Sequence, residues 1–173
     1  AYDTGGRRIG PSVEAAYFVV RRKSGIKHYY GYRSEKHVEA DDGYIEAIGE
    51  NGKALAWALS KVEDVHGNYY TVHYQEDRAN GDYYPARITY TNNAGMNVTI
   101  SFIHEERPDH NTRYIPSPVD MDRRLTQIVV RINGRLLRRY ELTYETGMTT
   151  GRSRLISIQE FGADGGSLPP TRF

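Results

Sequence analysis

The chain has 173 residues, a size that fits one domain with its own core and does not comfortably hold two. Its 23 Lys and Arg balance 22 Asp and Glu, so no net field draws it to nucleic acid or to an anionic membrane surface. With no cysteine, a disulfide framework, a zinc–thiolate site and a thiol nucleophile are all excluded, and no apolar run approaches the roughly 20 residues of a membrane-spanning helix.

Tyrosine is in excess, 15 residues against 4 Phe and 1 Trp, many of them alternating with polar or β-branched neighbours, which is strand composition. Residues 1–15 read as a flexible terminus, because the glycines of Gly5-Gly6-Arg7-Arg8-Ile9-Gly10 have neither dinucleotide-loop spacing nor a preceding strand. Ala16–Arg22 and Gly25–Tyr30 form a predicted hairpin with Gly25 free to take a positive φ, and Gly31–Asp42 reads as a polar surface loop. In Lys53–Val65, Leu55, Leu59 and Val62 fall at helical spacing. Trp57 and Leu59 also alternate, and the turn signal Asp64-Val65-His66-Gly67-Asn68 follows, so a strand is favoured. The next run should place Tyr70, Val72 and Tyr74 on one face and Thr71, His73 and Gln75 on the other.

Further strands are expected at 83–91, 97–105, 124–132, 136–145 and 152–161, separated by Gly- and Asn-bearing turns. Pro85 predicts a late start, an edge or a bulge in its strand. A loose repeat of hairpin size recurs through the chain, and the fold class is all-β, built of repeated antiparallel β-hairpins with little or no helix. At Asn133-Gly134 a three-residue loop pairing Arg131 with Arg135 is expected. It would gather Ile128, Val130, Leu136, Tyr140 and Leu142 on one face, with Arg138 at its rim.

The chemistry-bearing residues are sparse. His104 and His110 in His104-Glu105-Glu106-Arg107-Pro108-Asp109-His110 are six apart with Pro108 between them, which breaks zinc-hydrolase spacing and leaves a polar strand end entering a loop. Asp41-Asp42-Gly43 and Asp120-Met121-Asp122 lack the acceptor ladder of a calcium loop and read as turns. No nucleophile elbow or phosphate loop occurs, so no catalytic, cofactor-binding or metal residue is assigned. The adjacent pairs Tyr29-Tyr30, Tyr69-Tyr70 and Tyr83-Tyr84 keep a second reading open, a carbohydrate- or host-surface-binding β module. Against it, one tyrosine of each pair could pack inward while the other covers the sheet.

Three motifs in order carry a resemblance. They are Trp57-Ala58-Leu59-Ser60-Lys61-Val62-Glu63-Asp64-Val65-His66-Gly67-Asn68, then Arg87-Ile88-Thr89-Tyr90-Thr91, and Thr150-Gly151-Arg152-Ser153-Arg154-Leu155-Ile156-Ser157-Ile158 leading to Leu168-Pro169-Pro170-Thr171-Arg172-Phe173. Together they resemble the amino-terminal region of the Salmonella virulence plasmid B (SpvB) family and the B component of insecticidal toxin complexes. The resemblance implies a curved, Rhs-like sheet over residues 16–167, with 168–173 as a linker to a following β-propeller. It implies a non-catalytic segment of a secreted bacterial toxin shell that encloses a toxic enzyme. Its partners would be other segments of the same polypeptide and a toxin C component, without cofactor, nucleic acid or membrane insertion. Unpaired sheet edges would let the piece self-associate in isolation. Trp57, Leu59, Asp64, Gly67, Asn68, Gly134, Arg152, Leu155, Pro169 and Pro170 are the structural positions expected to matter.

Overall fold

The computed structural model describes residues 2, 16–32, 43–46, 53–91, 95–114 and 118–173. Within them the chain is strand and turn with no helix: β1 Phe18–Arg21, β2 Lys27–Tyr30, β3 Tyr44–Glu46, β4 Ala54–Trp57, β5 Leu59–Glu63, β6 Tyr69–Asp77, β7 Asp82–Thr91, β8 Asn97–Tyr114, β9 Pro118–Ile132, β10 Arg135–Thr146, β11 Ser153–Gly162 and β12 Thr171–Arg172. Ten of these form one open antiparallel sheet, ordered β1-β2-β5-β6-β7-β8-β9-β10-β11-β12, and β3 pairs with β4 alone. Chain order is kept across the large sheet except for the β3–β4 excursion, as a sheet grown hairpin by hairpin requires.

The Lys53–Val65 segment is strand, as its alternation favours, but it is two strands in two sheets. The joint is Ala58. Its N–H donates to Gly43 O at 2.7 Å, and its carbonyl accepts from Gly31 N at 2.8 Å and from the Ser60 hydroxyl at 3.2 Å. At the following turn the Asp64 carboxylate accepts from the Asn68 side-chain amide at 2.9 Å and from the backbone N–H groups of His66 (2.8 Å) and Asn68 (2.9 Å). These bonds, the Asn68 amide first, hold the Asp64 carboxyl below the usual carboxylate range. Pro85 sits opposite Tyr74 where the β6–β7 register shifts, and β8 pairs with β7 only from Arg87 onward, so both a bulge and a locally free side accommodate it.

Two expectations are corrected. Strand β8 does not end at Glu105: it runs to Tyr114, because β9 begins at Pro118 and supplies partners such as Met121 for Asn111 and Val119 for Arg113. The His104–His110 stretch is therefore part of a strand rather than the start of a loop; its polar composition hid it from an apolar alternation pattern. The β9–β10 hairpin also closes differently, with Ile132 opposite Arg135 and a two-residue loop in which Asn133 has φ 49° and Gly134 φ 80°. Both central angles are positive, as the hairpin turn that matches strand twist demands. Asn133 also bonds to β8, donating its N–H to Asn97 O at 2.8 Å and accepting from Asn97 N through its side-chain Oδ1 at 2.9 Å. The expected extra residue appears further along, as a bulge between Leu136 and Arg138 that restores Val130↔Arg138 and Ile128↔Tyr140. Ile128 and Tyr140 thus share a face as expected, whereas Leu136, opposite Arg131, falls on the other one. Gly134→Val should cost about 1–2 kcal/mol in chemical denaturation, from the left-handed backbone alone, since the space around Gly134 is open.

Cross-strand partners lie on the same side of a sheet. One face therefore carries the row Val72, Ile88, Ile100, Val130 and Arg138, with Phe102, Ile128, Tyr140 and Glu160 beside it. The opposite face carries Lys61, Thr71, Thr89, Thr99 and Arg131, together with a second row of His73, Arg87, Ser101, Val129, Arg139 and Phe161 in which His73 and Val129 are buried. The β3–β4 pair packs on the apolar face at β6 and β7: Ile45, 1% exposed, meets Val72 and Tyr74, with Tyr70 and Ile88 at the margin. This confirms the expected grouping of Tyr70, Val72 and Tyr74. Over β8 to β11 the same apolar face is only half-buried, and no described element packs across it.

Candidate functional site

The densest polar constellation among the described residues grows from the segment that had suggested a zinc hydrolase. Ladder pairing between β8 and β9 stops after Glu106↔Arg123 and resumes at Asn111↔Met121, so Arg107–His110 form a wide bulge in β8. They reach the turn between β10 and β11, although β9 and β10 separate β8 from β11 in the sheet order. Asp109 accepts from Arg107 Nε at 3.2 Å and Nη2 at 2.9 Å, from Ser153 N at 2.9 Å and from the Ser153 hydroxyl. Arg152 completes the clamp, donating to the carbonyls of Asp109 (3.1 Å) and His110 (3.2 Å) and to Asn111 Oδ1 (3.1 Å). Arg124 ties it to the sheet through Ser153 Oγ at 2.8 Å and Glu105 at 2.6 Å, with its guanidinium over the Tyr144 ring at 4.9 Å.

The Arg107 guanidinium, then the Ser153 hydroxyl and N–H, hold the Asp109 carboxyl far below the usual carboxylate range. Elsewhere, His104 stacks on Tyr84 with ring centroids 4.3 Å apart, and burial lowers its pKa. His110 instead faces Glu106 and Asp120, each at 3.8 Å. Asp122 is buried and accepts from Asn80 Nδ2 at 3.3 Å, while Asp120 donates its N–H to Asn80 O at 2.8 Å, so this pair anchors the β6–β7 turn. Burial, and then the charges of Asp122, Asp77 and Asp120, push the Asp82 carboxyl upward there. Among the described residues no group of three or more His, Asp or Glu could hold a metal ion; Asp41 and Asp42 lie outside them.

The structural positions expected from sequence take separate places. Trp57 flanks the Ala58 joint, edge-on to Phe18 at 5.0 Å and to Tyr44 at 6.3 Å. The Leu59 carbonyl accepts from the Tyr74 hydroxyl at 3.1 Å. Asp64, Gly67 and Asn68 form the β5–β6 turn, Gly134 the β9–β10 turn, and Leu155 pairs with Tyr144 beside a bulge. Only Arg152 belongs to the clamp. Arg107, Asp109, Arg124 and Ser153 were not singled out; the one available signal was the strand-like i, i+2 spacing of Arg107 and Asp109. Pro169 and Pro170 precede β12, whose two residues pair with β11. Of the tyrosine pairs, Tyr69 and Tyr83 are exposed while Tyr70 borders the core and Tyr84 lies on His104.

No family model and no curated protein matches the sequence. Solved structures do share its architecture. The N-terminal domain of effector protein SpvB from Salmonella typhimurium strain LT2 superposes with a TM-score of 0.67 at 13% identity, over 84% of this chain and 61% of that one. The chain has the fold of that domain. The TcdB2–TccC3 structure matches with a TM-score of 0.66 at 15% identity over 89% of this chain, and its TEV version with 0.68 at 14%. This chain spans 10% of each of those two much longer chains. The SpvB and toxin B-component resemblance carried by the three sequence motifs is thus met in three dimensions, and the curved all-β sheet with it.

Proposed function

We propose that the chain is a non-catalytic structural segment of a secreted bacterial toxin or virulence protein, one panel of a shell that encloses and helps deliver a toxic enzyme. The observation that carries this reading is the apolar face of β8 to β11. Ile100, Phe102, Ile128, Val130, Tyr140, Leu142 and Ile158 are left half-buried, with no described layer over them, in a fold shared with parts of far longer toxin chains. A panel of this kind meets other segments of its own polypeptide and a toxin C component through that face. The fully engaged clamp supports a fastening role in place of catalysis. The tyrosine-based binding reading is less well supported, since one member of two of the three pairs is packed.

The test is Val130→Asp. In the isolated chain this change should cost only about 1 kcal/mol, because the side chain already borders water and the new carboxylate lies opposite Arg138. In the complete toxin polypeptide it should abolish assembly with the C component, measured by co-purification. Normal assembly of the variant would remove the reading.

A further inference from the structure

The distal parts of β8 and β9 stand apart from the rest of the sheet. Pairing of β8 with β7 ends at Ser101↔Arg87, and pairing of β9 with β10 ends at Gln127↔Glu141. Beyond these points the two strands have only each other as ladder partners among the described residues. Along this ribbon the strands exchange neighbours. His104 of β8 still lies on Tyr84 of β7, but Asp109, His110 and Asn111 are bonded to Arg152 and Ser153 at the β10–β11 turn. Leu125 of β9 still accepts from the Tyr144 hydroxyl of β10, but Asp120 and Asp122 are bonded to Asn80 in the β6–β7 turn. The exchange falls at the bulge of Arg107–His110. Two-stranded ribbons twist more than wide sheets, and a bulge adds to the twist.

We propose that this ribbon is a strap that couples the β6–β7 turn to the β10–β11 turn, so that release at one turn is felt at the other. The two attachments are joined by a short run of contacts. Arg152 Nη2 donates to Asn111 Oδ1 at 3.1 Å, and the next residue, Thr112, donates its hydroxyl to Asp120 Oδ1 at 3.3 Å. Asp120 donates its N–H to Asn80 O at 2.8 Å, and the Asn80 side-chain amide donates in turn to Asp77 at 3.1 Å and Asp122 at 3.3 Å. Ladder pairing of Asn111 with Met121 and of Thr112 with Asp120 keeps this run in register. With no third strand beside it, the ribbon takes its place from its two ends, and freeing one end removes half of what holds the other. A partner that displaces one turn therefore loosens the second across the width of β8 and β9.

The test is amide exchange by NMR in the full 173-residue chain, since coupling has to be measured and not inferred from adjacency. Arg152→Ala leaves Asn80 untouched, yet it should speed exchange of the Asp120 amide about tenfold, because the ribbon then opens against roughly one net charge-assisted hydrogen bond fewer. Asn80→Ala should do the same to the Ser153 amide, which donates to Asp109, because coupling between two sites is reciprocal. The Val129 amide, outside the ribbon, should keep its rate in both variants. Asp120 should also keep its rate in Arg154→Ala, which breaks an ion pair with Glu145 on the same hairpin but outside the strap. An unchanged Asp120 rate in Arg152→Ala would make the two attachments independent and overturn the strap. Acceleration of Val129 equal to that of Asp120 would mean that the chain loosens as a whole, and would overturn it too. Should Arg152→Ala fail to fold, Arg152→Lys carries the same expectations, since it keeps the charge and loses the fork that spans two carbonyls and Asn111.

Discussion

Trp57→Ala is expected to destabilise the chain by about 3 kcal/mol, read as a fall in urea midpoint. The indole stands at the point where the chain passes from the small sheet to the large one. It packs edge-on against Phe18 of β1 and Tyr44 of β3, and against the backbone of Gly31. Nothing larger than glycine fits that last contact: a Cβ at Gly31 would come 2.4 Å from Trp57 Cδ1, at a φ of 71° that already disfavours a side chain. Removing the ring opens a cavity shared by three elements while the Ala58 hydrogen bonds remain, so the joint should loosen without the large sheet dissolving. Val65→Ala, at a position 64% exposed, should change stability by less than about 0.5 kcal/mol and serves as the control. A Trp57→Ala loss no larger than the control's would mean that the joint does not hold the two sheets together.

Asp109→Ala is expected to cost about 2 kcal/mol near neutral pH. It leaves the Arg107 guanidinium, only 17% exposed, and the Ser153 donors without their acceptor. The figure sits at the low end for a broken charged network because a thin sheet keeps water close. The pH dependence follows from the depressed carboxyl. A carboxylate whose folded pKa lies below its unfolded value contributes fully above the unfolded value, near 3.9, and loses that contribution as pH falls toward the folded one. The stability gap between wild type and variant should therefore stay constant from pH 8 to about pH 5 and narrow only below about pH 4. A gap that closed between pH 7 and pH 5 would show that Asp109 is not held by Arg107 and Ser153 as described.

What could be read in advance follows the physics of each element. Strands with one apolar side, such as Arg124–Ile132 and Leu136–Glu145, announce themselves by alternation, and Asp64–Asn68 announces its turn by the residues that accept and donate within it. The lower half of β8 did not, because Glu106, Arg107, Asp109 and His110 satisfy one another and a distant turn rather than a core. β3 did not, because three residues carry no period. The Asn133-Gly134 loop has two residues and not the expected three because Asn133 is bound to Asn97, and a bulge at Leu137 supplies the parity that a longer loop would have given. The clamp escaped for a topological reason. Asp109 and Ser153 are 44 residues apart and belong to strands that are not neighbours, and the bulge at Arg107–His110 brings them together.

We propose that the apolar face of β8 to β11 is a buried surface in a complete toxin polypeptide. Hydroxyl-radical footprinting of that polypeptide beside the isolated chain tests it most directly. Phe102 and Tyr140 should label in the isolated chain and become protected in the assembled protein, while Tyr69, on the opposite face, labels in both. Equal labelling of Phe102 and Tyr140 in the two forms would contradict the account.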